Sequence, residues 1–167
     1  YFFMGEALKH AYFPNWNLRL FKHKLGRYEK ITDLATDSGD HEIHEHVVVQ
    51  GSTGRLKSIM DHHAFPTIES FVEKHNRYSN WEAVIENEQK EKADSIQHNG
   101  VKLKRKLRMV FRKLPFRPTL RFLYVYIWQK GFLDGWAGYV FARLHGQYEF
   151  LSVAKAKEVA KSKNESR

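Results

Sequence analysis

The chain has 167 residues and no cysteine, so disulfides and thiolate metal ligands are excluded from the start. Long apolar runs are missing as well. In the most aromatic stretch, residues 119–151, only Phe122 to Trp128 is uninterrupted, and Arg121, Lys130, Asp134 and Arg143 break up the rest. A bilayer span needs roughly 20 mostly apolar residues, so no transmembrane helix is expected. There is no P-loop, no Gly-x-Gly-x-x-Gly, no Gly-x-Ser-x-Gly elbow and no Asp-x-Asp pair, which leaves no signal for cradling a nucleotide phosphate. The N-terminus lacks the basic-then-apolar pattern of a signal peptide. Because it opens on Tyr1 rather than on Met, the chain reads as a piece of a longer protein. Acidic residues are in deficit, 19 against 28 lysines and arginines, giving a formal charge of +9.

What is present is enough for one ordinary domain. Hydrophobic residues make up 42% and aromatics 14%, which excludes a disordered basic tail. The positive charge is local. Lys102, Lys104, Arg105, Lys106, Arg108, Arg112, Lys113 and Arg117 lie in one segment free of acid, and the remaining 20 basic and 19 acidic side chains nearly cancel. Within that segment Leu103, Leu107, Val110, Phe111 and Leu114 recur at helical spacing, so a basic amphipathic helix is expected, ending before Pro115 and Pro118. The aromatic stretch that follows holds ten of the chain's 24 aromatics. Trp and Tyr favour the headgroup level of a bilayer, so the pair of segments predicts contact with an anionic membrane surface. The plain alternative is two ordinary core-packed helices with a solvated charged face. Nucleic acid is the lesser partner: a groove-reading helix carries Asn, Gln or Ser among its cations, and none occurs between Lys102 and Pro118.

Upstream, the sequence predicts a short strand at Leu18–Phe21 and an exposed loop over residues 32–41. Strands at Glu45–Gln50 and Arg55–Asp61 are expected to form a hairpin through Gly51-Ser52-Thr53-Gly54. Thr67, after Pro66, reads as the N-cap of a long helix in which Ile68, Phe71, Val72, Tyr78, Trp81 and Ile85 keep helical spacing. This helix is predicted to reach toward Ile96, and Asn99-Gly100 interrupts it. A terminal helix is expected to continue past Lys155 and fray. Half of the ten histidines fall in one window: His41, His44, His46, His62 and His63, beside Glu42, Glu45 and Asp61. A histidine-rich zinc site at hairpin positions is one reading. Surface or core histidines are the other, and this is the reading adopted for His41, His46 and His63.

Four blocks, Phe3–Lys22, Ile43–Leu56, Ile59–Ala83 and Leu114–Glu158, together resemble the C-terminal half of a bacterial family 2 glycosyltransferase, in family order. The subgroup concerned contains lipopolysaccharide-core and exopolysaccharide sugar transferases. The resemblance implies an α/β class chain, the C-terminal portion of a GT-A-type fold, with short strands and a β-hairpin followed by long helices and mostly helical after residue 67. It implies an acceptor-side part with the hairpin over residues 1–66, a long helix over 67–99, and a membrane-surface region over 100–167. It also implies a nucleotide-sugar donor, a lipid-linked or membrane-proximal glycan acceptor, a divalent Mg or Mn ion, and a peripheral cytoplasmic position on the inner face of the plasma membrane. The donor-binding half of that family, with its Asp-x-Asp motif, has no counterpart in these blocks, so the 167 residues alone are expected to be inactive. Inverting transfer needs a base at the acceptor hydroxyl. His44-Glu45 matches the family's His-Glu pair, which makes Glu45 the expected base and His44 a substrate-binding residue. The alternative for Glu45 is an exposed strand carboxylate. His62 is expected to meet the metal or the diphosphate, or else to make a core hydrogen bond. Arg19 is expected to bind an anionic group of donor or acceptor through its planar fork, or else to sit in a buried ion pair. Tyr78 reads first as a core anchor and second as a platform for a sugar. A non-catalytic basic module binding anionic membrane or nucleic acid is the runner-up function.

Overall fold

The computed structural model describes residues 1–28, 47–63, 65–91, 114 and 116–165. Its elements in chain order are β1 (Phe2–Phe3), β2 (Glu6–Ala7), β3 (Gly26–Tyr28), β4 (Val47–Val49), α1 (Ile68–Glu91), α2 (Arg117–Leu123), a π-helical turn (Tyr124–Trp128), a 3-10 turn (Gly131–Asp134) and α3 (Gly135–Glu165). β1 pairs antiparallel with β2, and β3 with β4, so this is a mixed α/β chain dominated by helices and carrying two small ribbons.

Helix α1 begins where the capping pattern predicts. The Thr67 hydroxyl accepts the Ser70 N–H (3.1 Å) and the Ser70 hydroxyl accepts the Thr67 N–H (3.3 Å), a reciprocal cap. The face it buries against α3 is not simply its apolar one. Phe71, Trp81, Ala83 and Ile85 are buried, and so are His75, Ser79, Glu86 and Asn87, whereas Ile68 and Val72 are exposed. The inward polar groups have partners. His75 Nδ1 donates to the Phe71 carbonyl (2.8 Å), and the Asn87 amide donates to the carbonyls of Ala83 and of Ala156 on α3 (both 2.9 Å). The Lys155 ammonium on α3 crosses to α1, where it meets Asn76 Oδ1 (2.6 Å), Ser79 Oγ (2.8 Å) and Asn80 Oδ1 (2.5 Å).

The expected hairpin is not formed. Val47–Val49 is a strand, but its partner is Gly26–Tyr28, in the register Gly26 to Val49 and Tyr28 to Val47, and residues 55–61 have no strand structure. The predicted strand at Leu18–Phe21 is likewise absent. Turn chemistry at Gly51–Gly54 permits a hairpin, but the three β-branched residues pair upstream instead.

Close backbone approach builds the corner between α2 and α3. A Cβ on Gly138 would collide with the Gly131 carbonyl oxygen, and one on Gly131 would lie 2.8 Å from the Val125 oxygen. Lys130 and Gly135 take left-handed φ values of 58° and 60° to reverse the chain between the turns. Asp134 then fastens this corner to the N-terminal segment. Its carboxylate accepts the N–H groups of Lys9 (2.9 Å), His10 (3.0 Å) and Ala11 (2.7 Å), and His10 Nδ1 lies 2.9 Å away. Burial pushes the Asp134 pKa up, but the hydrogen bonds from Ala11, His10 and Lys9 outweigh it and hold the carboxyl below 3.8. Asp134→Asn leaves one acceptor oxygen for three N–H groups. A loss of about 2 kcal/mol in urea unfolding at neutral pH is expected, and an unchanged midpoint would refute the anchoring role.

Candidate functional site

Of the described residues marked by the sequence, His62 lies beside the β1 ribbon. The Phe2 N–H donates to the His62 carbonyl (2.9 Å), and Phe3 bridges Phe65, so residues 62–65 are laid along β1. The Tyr1 ring lies 5.2 Å from the His62 ring, and the Phe2 ring stacks on His63 at 4.2 Å. His62 has its pKa lowered by partial burial and by the positive charges of Arg19 and Lys74. It is a neutral imidazole at pH 7 in a cationic setting. Tyr78, half-buried on α1, stands edge-on to His75 at 5.4 Å. Tyr1 joins the two sides: its phenol is held protonated by burial and by the nearby phenols of Tyr12 and Tyr78. Arg19 and His62 are both exposed, so neither the buried ion pair nor the core hydrogen bond applies. A neutral imidazole in the field of Arg19 and Lys74 suits an anion. No group of three His, Asp or Glu side chains able to hold a metal ion occurs among the described residues. Glu45 and His44, and His41 and His46 of the zinc reading, lie outside those residues.

Behind this cluster is a layer of imidazoles and aromatic rings that the sequence does not advertise. The His75 ring stacks on Phe71 at 3.7 Å and meets His145 of α3 edge-on at 5.5 Å; His145 in turn stacks with Tyr12 at 5.5 Å. His145 Nδ1 is buried without a hydrogen-bond partner among the described residues. Burial lowers His75 to about 4, despite its bond to the Phe71 carbonyl, and drives His145 well below its ordinary value. Both are neutral at pH 7 and serve as packing groups joining α1, α3 and the N-terminal segment.

Of the eight cations assigned to a membrane face, Lys102, Lys104, Arg105, Lys106, Arg108, Arg112 and Lys113 lie outside the described residues. Arg117 is buried and does not belong with them. Its Nη2 is 2.6 Å from Glu149 Oε1, and its Nη1 donates to both Glu86 oxygens (3.2 Å each). The aromatic stretch behaves differently. At the corner between α2 and α3 its inner residues Val125, Gly131 and Ala137 are buried, while Ile127, Trp128, Phe132, Leu133 and Trp136 face solvent. No helix among the described residues is long and apolar enough to cross a membrane.

Comparison with protein-family models, with curated proteins and with solved structures finds no match.

Proposed function

We propose that the chain is the acceptor-side part of a family 2-type glycosyltransferase at the inner face of a bacterial plasma membrane, moving a sugar from a nucleotide-sugar donor to a lipid-linked or cell-surface glycan. Lipopolysaccharide or exopolysaccharide assembly is the matching process. The transfer is a direct displacement with inversion: the acceptor oxygen attacks the anomeric carbon, the bond to the diphosphate breaks, and Glu45 takes the hydroxyl proton. Arg19, which with Lys74 acts on His62, offsets charge on the departing diphosphate or holds an anionic group of the acceptor. A divalent ion, when bound, would neutralise the same diphosphate, but the described residues provide no set to hold one.

The observation that supports this reading is that His62 lies in the field of Arg19 and against the ring of Tyr1, whose phenol also feels Tyr78, so that residues from two separate resembling blocks act on one another. The exposed aromatic corner also suits the second reading, a non-catalytic module on anionic membrane. The experiment is transfer of labelled sugar from nucleotide sugars to lipid-linked glycan by the longest polypeptide of this reading frame. Arg19→Met is expected to raise KM by about 10-fold or more, the worth of a charge-assisted hydrogen bond, with thermal unfolding unchanged because Arg19 is exposed. No transfer from any nucleotide sugar, or an unaltered KM, would overturn the assignment.

A further inference from the structure

We propose that the corner between α2 and α3 is a preformed wedge that inserts into the headgroup region of an anionic bilayer, with Trp128 and Trp136 as its deepest residues. This deepens the membrane-surface reading and rests on it for the presence of the bilayer. It assigns the apolar contact to residues other than the basic segment.

The wedge is built, not incidental. Trp128 is 79% and Trp136 68% exposed, far more than a large aromatic side chain retains without reason. Ile127, Phe132 and Leu133 of the same corner are exposed as well. The backbone cannot fold these residues inward, because the inner positions are already occupied. The fully buried Val125 and the Gly131–Gly138 approach fill the space beneath, and the carboxylate of Asp134 ties the corner to Lys9, His10 and Ala11. A rigid apolar turn loses little conformational freedom on binding.

Charge selects the occupant. From Val101 to Tyr148 the sequence contains a single acid, Asp134, whose carboxylate is consumed by three backbone N–H groups. Exposed Lys130 lies in the corner itself, exposed Arg143 lies 5.7 Å over the Phe122 ring, and Arg121 lies 5.9 Å over the Tyr124 ring. A surface of Trp, Tyr and branched apolar residues accompanied by cations from an acid-poor stretch of sequence matches the interface of a bilayer carrying anionic lipid. A protein partner would have to supply a complementary acidic rim. A second copy of this chain would bring the same cations face to face. Without a spanning helix at this corner, the insertion is shallow, about 5–10 Å.

The test uses the full chain and vesicles of phosphatidylcholine with phosphatidylglycerol, read by flotation and by quenching of tryptophan emission with lipids brominated on the acyl chain. The double variant Trp128→Glu with Trp136→Glu is expected to lose about 100-fold in partitioning. The conservative pair Trp128→Phe with Trp136→Phe is expected to keep flotation and lose the quenching. Phe150→Glu, an exposed aromatic 14 residues and about 21 Å further along α3, should change nothing. Folding of each variant is checked by urea unfolding. Normal flotation of the Glu pair, with release by Gln at Lys104, Arg105 and Lys106, would overturn the wedge and leave the basic-segment reading standing. Failure of the unaltered chain to float on anionic vesicles would overturn both. A dimer converted to monomer by the Glu pair, at unchanged flotation, would assign the surface to a second copy instead.

Discussion

Arg117→Ala is expected to cost about 3–5 kcal/mol, a large share of the roughly 5–15 kcal/mol that holds an ordinary domain folded. The guanidinium opens α2 at the point where α1 and α3 lie side by side, and it is the cation for two carboxylates at once. Nε and Nη2 address Glu149 on α3 at 2.8 and 2.6 Å, while Nη1 forks onto Glu86 of α1 at 3.2 Å. Truncation leaves Glu86 buried and Glu149 half-buried, facing one another with their shared positive charge gone. The penalty is the cost of leaving two carboxylates without their shared cation rather than the worth of the pairs, and a second variant separates the two. Replacing Arg117, Glu86 and Glu149 together with Met, Leu and Leu is expected to recover most of the loss, as a well-packed apolar set can replace a buried triad. Arg117→Lys is expected to fall between, since a point charge cannot reproduce a planar fork onto two acceptors. Urea unfolding at neutral pH reads all three. An alanine variant within 1 kcal/mol of the parent, a difference smaller than a typical core substitution, would mean that solvent already screens the triad.

Arg117 also marks where sequence reading succeeds and where it stops. Its charge was legible, and so was its place at the end of a cationic run. Its acid partners, 31 and 32 residues away in sequence, were not, because a surface cation and a buried one have the same local context. Asp134 is the mirror case. As a lone acid in a cationic aromatic stretch it signalled an interruption, whereas its three N–H donors come from residues more than 120 positions upstream. Helix α1 was readable because its start is local chemistry: Thr67 and Ser70 cap each other. Its buried face was only partly readable, since periodicity counts apolar residues, and His75, Ser79 and Asn87 occupy inward positions made tolerable by the carbonyls of Phe71 and Asn76 in the same helix and of Ala156 on α3. The strand at Val47–Val49 was legible from β-branching. Its pairing with Gly26–Tyr28 was not, because a strand's partner is a long-range choice that a glycine-rich turn does not dictate. At the candidate site, residue identity was visible in Arg19, His62 and Tyr78, while Tyr1, which meets His62 and feels Tyr78, carried no signal of its own.

Acidification from pH 7 to pH 4 is expected to cost about 3 kcal/mol through His75 alone, with a further loss of the same sign from His145. His75 titrates near 6.5 when unfolded and at about 4 when folded, because burial against Phe71 and Tyr148 penalises its charged form. Above pH 6.5 both states are neutral and the residue contributes no pH dependence. As the pH falls below 6.5 the unfolded chain takes up the proton first and is stabilised, so folding weakens steadily until the folded imidazole protonates near 4. His145 follows the same rule more strongly, since its ring is enclosed by Tyr12, Phe71, Phe141 and His75, with Arg121 adding repulsion. Asp134 works in a different window: its carboxyl lies below 3.8 when folded, so its contribution persists through this range and is lost only at lower pH. A fall in the urea midpoint between pH 6.5 and 5 therefore belongs to the imidazoles and not to the anchor at the wedge. His145→Phe is expected to flatten that fall, because it removes the titratable ring and sacrifices no hydrogen bond to Nδ1 among the described residues. Asp134→Asn should shift the whole curve down without changing its slope above pH 5. A midpoint that stays level from pH 7 to 5 would mean that water or a rearranged core solvates the imidazolium. The tight layer joining α1, α3 and the N-terminal segment would then be wrong.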